Sequence, residues 1–388
     1  MSKLYFTEEH YLFRESLRDF LQKEVVPHIE KWEETGQIER FIWKKFGDMG
    51  YFGLATPEAY GGLDLDLFYT VILLEEMQRI NSGGFAAAIW AHAYLAMTHL
   101  NKEGNHKQKE KYLTPSVLGD KIGCLCITEP FGGSDVAGMR TTAVKKGDTY
   151  VINGSKTFIT NGVYSDYLII AAKTNPELGN KGISIFVIDR DAPGVSATKL
   201  DKLGWRASDT GEIAFDNVTI PSENLMGEEN QGFPYIMQHF ALERLIMGVN
   251  AHARAEYALE YAKQYMSERT AFGRTIDKFQ ALRHTFADCE TQMEICKQFN
   301  YYVTKCLDNC DYVVKEATMS KLQSTKMADD VIYQCLQFLG GYGYMEEYPL
   351  ARMARDSRLG PIGGGTSEIL REIIAKMVID NKDYKPAT

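Results

Sequence analysis

Residues 358–370 read RLGPIGGGTSEIL, three consecutive glycines standing directly before Thr366, Ser367 and Glu368. Three residues without a β-carbon either clear space for something else or form a plain loop, with Thr366 or Ser367 as N-cap and Glu368 suited to a positive helix start. A second stretch, ITEPFGGSD at Ile127 to Asp135, places Thr128 and Ser134 around two glycines after an apolar run. Such a loop can bring backbone N–H groups against a flat or anionic ligand, and its hydroxyls suit turns equally well. In KTFITNG, Phe158 and Thr160 lie two apart on a strand and so share a face, as the wall of a planar heterocycle or as core packing. Arg269 and Arg274 in ERTAFGRTIDKFQ, with the glycines of QFLGGYGY (Gln337 to Tyr344), fit pyrophosphate recognition by a guanidinium fork beside open amides; those glycines can also just end a helix. The glycine spacing is not that of a Rossmann fingerprint. Glu243 stands among Phe240, Leu242, Leu245, Ile246 and Met247, so it is either an inward, desolvated carboxylate or a surface residue paired with a neighbouring cation.

These groups need elements to hold them. Helical spacing runs from Thr7 to about Asp120, opening with Phe6, Leu17, Phe20 and Leu21 behind a Thr7 N-cap and including the runs from Leu67 to Arg79 and from Gly84 to Leu100. Short β-branched or alternating runs separated by Gly, Asn, Asp and Pro follow to about Ile220, with Asn153-Gly154 read as a type I′ hairpin turn. Long helical segments return at 235–267, 278–307, 312–339 and 366–380. The chain therefore reads as α+β: an N-terminal helical domain (1–122), a central antiparallel, barrel-like β domain (123–232) and a C-terminal four-helix bundle (233–388).

With 388 residues, 45% hydrophobic and 24% charged, the chain can bury two or three cores. A net charge of -9 opposes broad attraction to nucleic acid or to anionic membrane. No stretch approaches the length of an apolar span, so integral membrane contact is not expected. The start has no signal-peptide pattern and reads as mature protein. Seven cysteines lack paired C-x-x-C spacing, are expected to be reduced core thiols, and point to a reducing compartment; the histidines include no H-E-x-x-H, and no metal site is expected.

ITEPFGGSD, KTFITNG, ERTAFGRTIDKFQ, QFLGGYGY and GGGTSEI, in this order and on this helix–strand–helix layout, resemble the acyl-CoA dehydrogenase family over about 7–380. The resemblance implies bound FAD and a homotetramer. It implies that Leu125, Ile127, Thr128, Gly133, Ser134, Phe158 and Thr160 contact the flavin end, with Thr366 and Glu368 near the cofactor at the last helix. Arg269, Phe272, Gln280, Gln337, Gly340 and Gly341 match positions holding the phosphates and adenosine, in this family partly across a subunit interface.

The family reaction removes an α-proton from an acyl thioester while the β-hydride passes to flavin N5, and the proton needs a positioned carboxylate. In many members that carboxylate directly precedes the Gly-Thr of the last motif, where this sequence has Gly364. In the subgroup resembling isovaleryl-CoA and long-chain acyl-CoA dehydrogenases it comes from a pattern like L-E-R-L, present here as Ala241-Leu242-Glu243-Arg244-Leu245. The resemblance thus makes Glu243 the base, leaves room for it at Gly363 and Gly364, and gives Arg244, Phe240 and Ser134 to substrate binding. The Gly364 N–H becomes the partner of the thioester carbonyl. By volume alone, Gly363 and Gly364 favour branched or long acyl chains. The expected partners are an acyl-CoA and an electron-transfer flavoprotein as acceptor, in the cytoplasm of a bacterium or the matrix of a mitochondrion. An acyl-CoA oxidase or flavin monooxygenase of the same fold is the alternative, and a DNA-associated relative is opposed by the acidic charge.

Overall fold

The computed structural model describes residues 4–382 and Tyr384. Helix α1 (Glu8–Phe20) starts where Thr7 and His10 exchange hydrogen bonds as a capping box, and it buries Leu17. Helix α2 (Leu67–Gln78) is buried on nearly all sides. Its Glu75 accepts from the Arg14 guanidinium (2.7 Å), the Tyr301 hydroxyl (2.6 Å) and His252 Nε2 (3.1 Å), which docks the N-terminal helices onto the C-terminal ones. Helices α3 (Gly83–Trp90) and α4 (Met97–Glu103) are joined without a break by a π-helical segment, Ala91–Ala96.

The central sheet comprises β1 (Gly123–Cys126), β2 (Thr142–Lys146), β3 (Thr149–Thr160), β4 (Tyr167–Lys173), β5 (Ile183–Asp189), β6 (Val195–Lys199), β7 (Thr210–Pro221) and β8 (Leu225–Met226). Its order is β6-β7-β3-β2-β4-β5-β8, with β1 added to β4. Most of its pairings are antiparallel, as expected; β1 pairs β4 in parallel, as does β2 through Thr142 and Lys173. Strand β4 is covered on both faces. Tyr167, Ile169 and Ala171 enter the core shared with the N-terminal helices, while Leu168, Ile170 and Ala172 enter the sheet's own core.

Asn153-Gly154 is not a hairpin turn. It lies inside β3 at a register shift against β7, and the Asn153 side chain accepts the Asn217 N–H (2.8 Å). Asn-Gly tolerates a bulge as readily as a turn. The β2–β3 turn is Gly147-Asp148, with a positive φ at Gly147.

Helices α5 (Gly232–Glu268), α6 (Gln280–Asp308), α7 (Val314–Leu339) and α9 (Ser367–Val378) form the C-terminal bundle, with the short α8 (Pro349–Ser357) leading into the last turn. Between α5 and α6, β9 (Thr270–Ala271) and β10 (Arg274–Thr275) make a two-residue hairpin. Its tip, Phe272-Gly273, has positive φ at both positions (50° and 77°), as a type I′ turn requires. Asp356 of α8 ties the three layers together by accepting the N–H groups of Gly83 (2.9 Å) and Trp205 (2.6 Å). Of the cysteines expected in the core, Cys310 is exposed and Cys306 half-buried.

Candidate active site

The loop after β1 is fixed from below by a buried ion pair. Lys156, fully buried on β3, donates to Ile127 O (3.0 Å) and to Glu129 (2.8 Å), and Glu129 also accepts the N–H groups of Arg140 (2.5 Å) and Thr141 (3.0 Å). Burial pushes the Glu129 carboxyl up, but the Lys156 charge and these hydrogen bonds outweigh it and hold it below the ordinary value. The Thr128 carbonyl accepts from Thr157 N–H (2.9 Å), so loop and strand move as one. Above this base Leu125, Ile127 and Thr128 are half-buried, while Gly133 and Ser134 are exposed.

Phe158 sits at a second register shift of β3, with φ +60° and 70% exposure. A bulky residue in the left-handed region is strained, and here the ring is turned outward, beside the half-buried Thr160 and away from buried Ile159. Phe158 is therefore exposed at a bulge, where regular strand alternation does not hold, while Thr160 pairs regularly with Thr210 of β7.

Glu243 lies on α5, half-buried, facing the triglycine turn. A β-carbon built on Gly364 would stand 3.4 Å from Glu243 Oε1, so the two positions address one point in space. The same β-carbon would meet Met247 Sδ at 2.4 Å, and Gly364 has φ +60°. Met247, one turn beyond Glu243, thus fills the volume left by the missing side chain. At Gly363, by contrast, an added β-carbon would meet nothing nearer than Leu359 at 3.7 Å.

Burial raises the Glu243 carboxyl pKa, opposed by the charges of Arg244 and Lys321. Among the described residues no donor hydrogen-bonds to that carboxylate. Arg244 turns away to Thr318 Oγ1 (3.1 Å) on α7, with its guanidinium 5.6 Å from the half-buried Phe240 ring. In the turn, Gly363 N–H donates to Leu359 O (2.8 Å), and Thr366 Oγ1 accepts Ile369 N–H (3.4 Å) to cap α9. Gly364 N–H has no acceptor among the described residues. Glu368 is exposed.

A separate hollow of about 470 Å³ lies at the far end of α5, lined by Arg269, Gln337, Gly340, Gly341 and Tyr342, among others. Phe272 stands beyond it, 95% exposed on the hairpin tip, and Gln280 opens α6. The structure thus divides the proposed cofactor residues into two groups. Arg269 directly follows the last residue of α5, twenty-six residues after Glu243, roughly 39 Å at 1.5 Å per residue.

Sequence reasoning missed Met247, Lys156, Thr318 and Lys321. Lys321 carried a signal: it shares the buried face of α7 with Ala317, Thr318, Ser324 and Thr325, where a lysine is out of place.

Comparison with known proteins agrees with this layout domain by domain. The family models for the acyl-CoA dehydrogenase N-terminal, middle and C-terminal domains match residues 7–120, 124–218 and 230–379. The chain belongs to the acyl-CoA dehydrogenase family. It is 38% identical to the mitochondrial long-chain specific acyl-CoA dehydrogenase of Mus musculus, over 97% of this chain and 88% of the relative. It is also 38% identical to the mitochondrial isovaleryl-CoA dehydrogenase of Oryza sativa subsp. japonica, over 97% and 92%. A crystal structure of acyl-CoA dehydrogenase from Geobacillus kaustophilus superimposes with a TM-score of 0.94 at 39% identity, covering 97% of this chain and 99% of that one. As an acyl-CoA dehydrogenase the chain is an oxidoreductase, and among its described residues no helix is long and apolar enough to cross a membrane.

Proposed function

We propose that the enzyme converts an acyl-CoA thioester of fatty-acid or branched-chain catabolism to the trans-2-enoyl-CoA, with Glu243 as the α-proton base. The observation that carries this reading is the 3.4 Å separation between Glu243 Oε1 and the β-carbon position of Gly364: the carboxylate enters from α5 where the turn offers none. A carboxylate without a hydrogen-bond partner, raised in pKa by burial, is a stronger base than one in water. Gly364 N–H, also without a partner, polarises the thioester carbonyl and so acidifies the α-carbon. Arg244, held by Thr318, positions the substrate and stays out of proton transfer.

The residues fit FAD. Bound, it supplies the acceptor for the β-hydride. The clamped loop from Ile127 to Ser134, with the outward Phe158 and Thr160, forms an open wall for a flat ring. The hollow at Arg269, with Gln337, Gly340 and Gly341, offers a guanidinium and open glycine backbone to a pyrophosphate. The Arg269 hollow lies past the end of α5, roughly 39 Å along it from Glu243, and this separation supports a cofactor held between subunits of a homotetramer. An electron-transfer flavoprotein is the proposed acceptor of the electrons.

The test is anaerobic titration of the yellow protein with acyl-CoA thioesters of graded length and branching. Bleaching by some of them is expected, and colourless protein that cannot be reconstituted with FAD ends the reading. Slow reoxidation by air separates a dehydrogenase from an oxidase.

A further inference from the structure

Lys321 is fully buried on α7, and among the described residues its ammonium makes one hydrogen bond, to the carbonyl of Gly365 at 2.6 Å. An ammonium has three donors and is costly to bury, so a lysine retained for one carbonyl needs a further reason. Gly364 and Gly365 both have positive φ, 60° and 91°. The turn is anchored on each side of Gly364, by the Gly363 N–H to Leu359 O and by Lys321 on Gly365 O. The free Gly364 N–H lies between these two anchors.

The charged groups facing Lys321 are Glu243 and Arg244 from α5 and Glu368 from α9. Arg244 in turn faces the Tyr384 phenol. Two cations, Lys321 and Arg244, therefore act on Glu243, and neither forms a contact pair with it.

We propose that Lys321 is a positioning residue of the dehydrogenation: it pins the triglycine turn so that Gly364 N–H is aimed at the thioester carbonyl, and its charge keeps Glu243 ionised without tying it up. The proposal rests on the reading of Glu243 as base and Gly364 N–H as carbonyl donor. A direct ion pair would lower the basicity of Glu243 and block its oxygens, whereas a cation engaged with a backbone carbonyl favours ionisation and leaves the carboxylate free. Burial lowers the Lys321 pKa to about 8, against the opposing pull of Glu243, so the ammonium is mostly protonated at neutral pH.

The test is single-turnover flavin reduction by an acyl-CoA in the FAD-loaded enzyme between pH 6 and 9, for Lys321→Met and Lys321→Arg. In Lys321→Met the pH midpoint is expected to rise by about one unit, which is about tenfold in rate on the acid limb, and the plateau at high pH is expected to fall as well. Lys321→Arg should keep the wild-type midpoint and lower only the plateau, because the charge stays while the compact ammonium that donates to the Gly365 carbonyl is replaced by a longer, planar guanidinium. A wild-type midpoint in Lys321→Met overturns the charge role, and a wild-type plateau in both variants overturns the pin. Should Lys321→Met fail to fold, Lys321→Arg decides: a shifted midpoint or an unchanged plateau overturns the proposal. Wild-type enzyme that no acyl-CoA reduces defeats instead the functional reading beneath it.

Discussion

Glu243 costs the fold something when it ionises. Its pKa in the folded chain is raised above the ordinary 4.5, so the protonated form is the favoured one: its contribution to stability is full below about pH 4.5 and is lost as pH rises through the folded value. Glu243→Gln removes the ionisable group and keeps its shape. The variant is expected to melt higher than wild type at pH 7 to 8 and at the same temperature near pH 4, as calorimetry would show, while flavin reduction slows by about 10² or more with acyl-CoA binding retained. A lower melting temperature at pH 8 would mean that Glu243 serves the fold. Moving the carboxylate back to the turn is a separate matter. Glu243→Gln/Gly364→Glu places a side chain at φ +60° with its β-carbon on Met247 Sδ, so no recovery of flavin reduction is expected. Adding Met247→Ala clears the obstruction, and measurable recovery in that triple variant, with straight-chain substrates, would identify Met247 as the occupant of the vacated volume.

At the scale of elements, the loop after β1 owes its shape to the buried pair of Lys156 and Glu129. Lys156→Met leaves Glu129 buried without its cation and is expected to cost about 3–5 kcal/mol in denaturant unfolding. Glu129→Gln/Lys156→Met should cost less, since no unpaired charge remains. Equal losses in the two would show that the charge pairing is not what matters. Much of this layer was legible in the sequence: Thr7 as N-cap, Thr366 or Ser367 as the N-cap of the last helix, the four long helical segments, and the change to β-branched runs after Gly123 all follow from local periodicity and capping. Other features depend on contacts that no local pattern reports. Asn153-Gly154 carries the residues of a turn but became a bulge because β7 pairs across it. The run from Gly84 to Leu100 has helical spacing, and nothing in that spacing announces the wider turns of Ala91–Ala96. The approach of Glu243 to Gly364 could be expected from family resemblance; that Met247 fills the gap and Lys321 holds the turn could not, since each depends on side chains from another helix.

At the scale of the whole molecule, α5 is a helix of 37 residues, with Glu243 in its first half and the Arg269 hollow just past its C-terminal end. Arg269→Ala is expected to weaken FAD retention, seen as loss of yellow colour on dilution, and to shift sedimentation toward smaller species, because a ligand bridging two subunits stabilises their assembly by mass action. Full retention of colour at low protein concentration would remove Arg269 from the cofactor site. Phe272→Gly relieves the left-handed strain at the hairpin tip and takes away a ring that is 95% exposed in the single chain, so it should leave the fold intact while weakening assembly. The length of α5 also has a genetic consequence. If each site takes its base from one subunit and its pyrophosphate contact from a twofold-related neighbour, two inactive alleles, one carrying Glu243→Gln and the other Arg269→Ala, should complement each other when co-expressed. Random pairing then rebuilds about one site in four with both residues intact, and where each variant alone is impaired the mixture exceeds both parents, approaching that share of wild-type activity.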